Sequence, residues 1–145
     1  MQATVMSFAN FKGGVGKTST TALVGYNLAK LGHKVLIIDF DAQANLTSLL
    51  LKTKSADSDI ITIDKSLMGA INDQIPLSEI TIDINENLTL IPNAVDFSMY
   101  ARYLERNFDN EIDRVSFFKK LIEPLKAKYD FIFIDVPPTL SLLND

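Results

Sequence analysis

Apolar residues along this chain gather into short, nearly continuous runs, separated by longer stretches in which they recur every three or four positions. That alternation predicts strands and helices in turn. An apolar run over residues 3–9 reads as a first strand, and KVLIID (34–39) and YDFIFID (129–135) as two more, each ending in aspartate, at Asp39 and Asp135. Unbroken apolar runs of this length suit central parallel strands covered on both faces. LTLIP (88–92) predicts another strand, the third in chain order. Between the strands, residues 17–31 predict a helix with Leu23, Tyr26, Leu28 and Ala29 facing inward and Gly32 as its C-cap. Residues 66–72 and 98–107 predict two shorter helices. A longer one over 113–128 carries Val115, Phe118, Leu121, Ile122 and Leu125 at helical spacing. KTKSADSD (52–59) is polar and reads as a loop, and the acids Asp57, Asp59 and Asp64 lack calcium-loop spacing. The expected fold class is α/β, a mostly parallel sheet flanked by helices on both faces.

The stretch FKGGVGKT (11–18) falls between the first strand and the first helix, the context a phosphate-binding loop requires. Glycines at 13, 14 and 16 let the backbone curl toward a phosphate without Cβ clashes. Their amides and the helix N-terminus then form a concave anion site. Lys17 is placed to reach the β- and γ-phosphates, and the Thr18 hydroxyl to ligate Mg²⁺. The candidate cradle comprises Lys12, Gly13, Gly14, Val15, Gly16, Lys17, Thr18 and Ser19. The general pattern G-x-x-x-x-G-K-[ST] is not met to the letter, because Phe11 stands at its first glycine. The bland alternative is a glycine-rich turn carrying a solvated lysine.

KGGVGKT, with Lys12 five residues ahead of Lys17, resembles the deviant Walker A motif of the ParA/MinD family, a branch of the P-loop NTPases. The resemblance implies that Lys12 contacts nucleotide held by a partner subunit, so that two protomers enclose two ATP molecules in a homodimer. Charge supplied in trans acts where negative charge gathers during phosphoryl transfer. DFDAQANLT (39–47) resembles the family's Walker A′ motif, with Ala42 in place of its proline, and DVPP (135–138) its Walker B and switch II segment. By that resemblance Asp39 and Asp135 hold Mg²⁺ through its water shell, while Asp41 orients or deprotonates the attacking water. A helix cap is the other reading of Asp41. Pro137 and Pro138 would stiffen the segment that senses the γ-phosphate. The strands ending at Asp39 and Asp135 and the first strand are expected to be close neighbours, since all three serve one Mg·ATP.

The resemblance covers this chain but only about the N-terminal half of a family member. Residues 1–145 are therefore expected to form the N-terminal portion of a single ATPase domain. The remaining strands, the adenine contacts and the DNA- or membrane-binding surface are expected elsewhere. Met1 directly precedes the first strand, so no N-terminal DNA-binding extension is expected.

Composition narrows the picture without redirecting it. Hydrophobic content of 47% and charged content of 22% are those of a globular domain. With no cysteine there is no disulfide framework, no thiolate metal site and no iron–sulfur ligand set. Neither a secretory leader nor an apolar run long enough for a membrane span is present, which makes a cytoplasmic location the default. The net charge of −4 counts against a nucleic-acid partner, but only weakly, since the resemblance implies that the basic DNA-contacting surface lies mostly outside these residues. Basic residues from Arg102 to Lys128 alternate with acids and read as a solvated face. His33 carries no assigned role, and Phe108, Phe117 and Phe118 read as core.

DFDAQANLT and DVPPTLSLL resemble the plasmid and chromosome partition ATPases more than MinD. That resemblance implies an Mg²⁺-dependent ATP hydrolase, nucleoid-associated, binding non-specific DNA as an ATP dimer and triggered by a centromere-binding ParB-like partner. A MinD-like membrane-cycling or cargo-positioning ATPase is the alternative, as is a nucleotide-binding module without turnover.

Overall fold

The computed structural model describes residues 2–8, 15–55, 63 and 65–136. Five strands form one sheet: β1 (Thr4–Phe8), β2 (Val35–Asp39), β3 (Ile82–Asp83), β4 (Leu88–Ile91) and β5 (Phe131–Asp135), in the order β1-β5-β2-β4-β3. The pairs β1–β5, β5–β2 and β2–β4 are parallel, as the unbroken apolar runs predict, and only β3 runs antiparallel, against β4. β5 therefore lies between β1 and β2. Its register sets Asp135 beside Phe8 on one side and beside Asp39 on the other.

Alternation along each strand divides the core into two layers. Val35, Ile37, Leu88, Leu90 and Phe133 face α1 (Val15–Lys30) and α2 (Asn45–Ser55) through Ala22, Ala29, Leu46 and Leu50. Leu36, Ile38, Ile91, Ile132 and Ile134 face the opposite layer, with Leu67, Met68, Phe118 and Ile122. That layer contains α3 (Leu67–Asn72), α4 (Tyr100–Asn107) and α5 (Glu111–Ile122). Helices thus cover both faces of a mostly parallel sheet.

Several elements depart from the sequence pattern, each for a physical reason. α1 does not bury Leu23 or Tyr26, since Leu23 is 61% exposed. It turns its small residues to the sheet instead. A Cβ on Gly25 would come within 2.7 Å of Ile37 Cδ1, so a larger residue there would have to displace the buried end of that side chain. Its end agrees with expectation: Gly32 has φ +97°, and the Gly32 and His33 amides donate to the Ala29 and Leu28 carbonyls. α2 continues through Ser55, so the first four residues expected in a polar loop are helical, with Lys52 and Thr53 on its exposed side. The next acids, Asp57, Asp59 and Asp64, lie outside the described residues.

α5 is capped by the Asn110 side chain, which accepts from the Asp113 amide, and it stops at Ile122 rather than Lys128. Pro124 turns the chain into a short 3₁₀ segment, Glu123–Leu125, because a proline cannot continue an α-helical ladder. The predicted helix over 98–107 is a 3₁₀ turn, Val95–Met99, leading into α4. β3, two residues long, carries too little pattern to be read from sequence, which makes the LTLIP strand fourth in chain order rather than third. Phe118 is core as expected, with Phe108 and Phe117 half-buried beside it.

Candidate nucleotide and metal site

The site grows from the carboxyl ends of β5 and β2. Alternation that sends Val35 and Ile37 toward the α1/α2 layer sends Asp39 there too, and Asp135 is its neighbour in register. Both aspartates are buried, at 0% and 1% exposure. Two buried carboxylates side by side at the carboxyl end of the sheet oppose folding, and arrangements of this kind mark functional sites. Burial pushes Asp39 up from 3.8 to about 6; hydrogen bonds from Thr47 pull it down, while the Asp135 and Asp41 carboxylates push it further up.

Asp39 spends one oxygen on protein and keeps the other. Oδ2 accepts from the Thr47 amide at 2.9 Å and from the Thr47 hydroxyl at 2.7 Å. Because Thr47 lies in the first turn of α2, this carboxylate also sits at a helix N-terminus, which favours negative charge. Oδ1 is buried and accepts no hydrogen bond among the described residues. A buried carboxylate oxygen left over in this way is what a hydrated divalent cation would take up.

Phe40 points to the opposite layer and wedges the next turn in place. Its ring lies 4.3 Å from Phe118, 4.5 Å from Phe97 and 5.1 Å from Tyr100, centroid to centroid. Beyond it the chain turns sharply. Asp41 Oδ1 accepts from the Gln43 amide at 3.0 Å, the Asp41 carbonyl accepts from the Ala44 amide at 2.9 Å, and Ala44 adopts φ 55°. The cap reading of Asp41 thus changes hands. Its side chain closes a local turn, whereas Asp39 bonds the helix amide. Asp41 is half-exposed, at the rim of the buried pair.

Of the remaining expected residues, Lys12, Gly13, Gly14, Pro137 and Pro138 lie outside the described residues. The backbone of Val15, Gly16 and Lys17 forms the first turn of α1, next to buried Thr18 and exposed Ser19. The described residues contain no cluster of three or more metal-ligating His, Cys, Asp or Glu side chains. Two buried carboxylates in register fit a cation that keeps several waters, rather than an all-protein cage.

Two residues that the sequence pattern does not single out belong to the site. Thr47 holds Asp39, and buried Asn93, just beyond β4, donates its amide to Thr47 Oγ1 at 3.0 Å and its Nδ2 to the Asp41 carbonyl at 3.3 Å. A hydroxyl in the first turn of the helix after D-x-D is the available signal for Thr47. Asn93 has none.

A mostly parallel sheet with acidic carboxyl ends beside the helix that follows β1 is the architecture of α/β proteins that bind ligands at the ends of their strands, P-loop nucleotide-binding proteins among them. Residues 3–145 match the AAA domain family AAA_31, and the chain belongs to it, within the ParA/MinD group of deviant Walker A ATPases. It is 35% identical over 137 residues to the chromosome-partitioning ATPase Soj of Treponema pallidum, covering 94% of this chain and 49% of that protein. It is 34% identical over 140 residues to the sporulation initiation inhibitor protein Soj of Bacillus subtilis, covering 97% and 52%. Among solved structures, cobyrinic acid a,c-diamide synthase from Mycobacterium smegmatis with bound ATP analog and magnesium superimposes with a TM-score of 0.79 at 29% identity, covering 98% of this chain and 54% of that one. The chain spans about half the length of these relatives.

Proposed function

We propose that this chain carries the nucleotide-handling part of a ParA-type ATPase acting in plasmid or chromosome partition. In this reading an ATP-bound homodimer holds non-specific DNA on the nucleoid, and a ParB-like partner triggers the hydrolysis that releases it. The observation that carries the nucleotide reading is the pair of buried carboxylates, Asp39 and Asp135, in register at the carboxyl ends of adjacent strands, with one Asp39 oxygen left over. The partition reading rests on the relatives' names and on the Walker A′ stretch.

Mg·ATP, when bound, supplies the transferable phosphoryl group and the charge that neutralises it. The chain's own residues have divided roles. Residues 12–19 would cradle the phosphates, with Lys17 as the residue for the β- and γ-phosphates. Thr18, Asp39 and Asp135 would hold the cation and its waters. Asp41, at the half-exposed rim, orients or deprotonates the attacking water, and Lys12 acts across the dimer. Turnover is slow without a partner, since chemistry of this kind is mainly positioning and charge neutralisation.

The test is retention on non-specific duplex DNA with and without ATP across a salt series. Retention that needs ATP and weakens with salt supports the partition reading. Its absence would redirect the reading to a membrane-cycling or cargo-positioning ATPase, with liposomes as the next substrate. The Asp41→Ala variant is expected to bind ATP like wild type yet release no phosphate, and loss of ATP binding in that variant would refute the role given to Asp41.

A further inference from the structure

We propose that Thr47 is a positioning residue for the cation site, locked by Asn93; the proposal rests on the Mg·nucleotide reading above. A threonine hydroxyl has one proton to donate and can accept from others. The Asn93 amide donates into Thr47 Oγ1 at 3.0 Å, which leaves the hydroxyl proton to be delivered to Asp39 Oδ2 at 2.7 Å. The Thr47 amide donates to the same oxygen at 2.9 Å. Oδ2 is thereby filled from two directions, and Oδ1 is the oxygen left for the cation's water shell. The carboxylate cannot rotate to exchange its two oxygens without breaking both bonds.

The same lock reaches the neighbouring acid. Asn93 Nδ2 donates to the Asp41 carbonyl, and Asn93 Oδ1 accepts from the Ala94 amide at 2.8 Å. One buried residue beyond β4 therefore ties the helix that holds Asp39 to the turn that carries Asp41. Groups that orient metal-holding side chains typically change metal affinity 10–100-fold when removed.

The experiment is titration of the full chain with a fluorescent ATP analogue, once with Mg²⁺ and once with EDTA, for wild type, Thr47→Val and Thr47→Ser. Valine keeps the shape and the amide but removes the hydroxyl; serine restores it. Wild type is expected to bind more tightly with Mg²⁺. Thr47→Val should lose about tenfold of that Mg²⁺-dependent gain while its affinity in EDTA stays unchanged, and Thr47→Ser should recover it. A purely structural role would lower both affinities together and would overturn the proposal, as would a full Mg²⁺ gain in Thr47→Val or no recovery in Thr47→Ser. Wild type that binds no nucleotide under either condition would instead overturn the nucleotide reading itself, and the role of Thr47 with it.

Discussion

The Asp39 carboxylate has no exposed surface, adjoins Asp135 across the sheet and touches the N-terminal turn of α2. In the nucleotide-free protein this placement works against folding. An unfolded chain releases the Asp39 proton near pH 3.8, whereas the folded chain keeps it until about pH 6. Stability contributed by the protonated form is therefore complete below about pH 4, falls as pH rises between the two values, and is lost above about pH 6. The rise from 3.8 to about 6 corresponds to about 3 kcal/mol as a ceiling. An amide at this position avoids the penalty and can still accept both Thr47 hydrogen bonds. Asp39→Asn is accordingly expected to be more stable than wild type by about 1–3 kcal/mol near pH 8, without nucleotide or Mg²⁺. The gain should vanish toward pH 4. Urea unfolding at a series of pH values measures it, and an Asn variant less stable than wild type near pH 8 would contradict the account.

At the level of elements, legibility in the sequence depends on whether one residue type dominates the local physics. β2 and β5 are readable because every position is apolar up to the terminal aspartate, and both faces are in fact covered. For α1 the pattern is half right: Ala29 is buried and Leu28 packs beside it, whereas Leu23 and Tyr26 face outward. Large residues such as Leu23 and Tyr26 carry the strongest hydrophobic signal, yet close approach to the sheet selects Ala22, Gly25 and Ala29. Leu23, Tyr26 and Leu49 instead line an open apolar groove of about 310 Å³ between α1 and α2. The pattern also overruns the end of α5, because apolar spacing continues through Leu125 while Pro124 ends the α-helical ladder. Gly25 gives the sharpest test at this scale. Gly25→Val would drive branched carbon into Ile37 and Leu88 and should destabilise the fold by about 1–3 kcal/mol in denaturant titrations. A variant as stable as wild type would mean that α1 does not approach the sheet as closely as described.

For the whole molecule, motifs single out Asp39 and Asp135, and the sheet sets β1, β5 and β2 side by side as expected, with the two acids in register. The Thr47–Asn93 lock is not legible, because 46 residues separate its two members and only the fold joins them. β1 forms one edge of the sheet among the described residues, with Val5 36% and Met6 45% exposed. No helix among the described residues is long and apolar enough to cross a membrane. Assembly supplies the prediction at this scale. Lys12→Ala should leave nucleotide binding by the monomer largely intact but prevent the ATP-dependent dimer, as read by light scattering coupled to gel filtration. An intact ATP dimer in that variant would remove the trans role of Lys12.

The central claim is that this chain binds Mg·ATP through the FKGGVGKT stretch and the acids at the ends of β2 and β5. Its most direct test is calorimetric titration of ATP into wild type and Lys17→Ala, each with and without Mg²⁺. The account predicts saturable binding by wild type that strengthens with Mg²⁺ and is abolished by Lys17→Ala. Equal binding by the two proteins, or none by wild type, would contradict it.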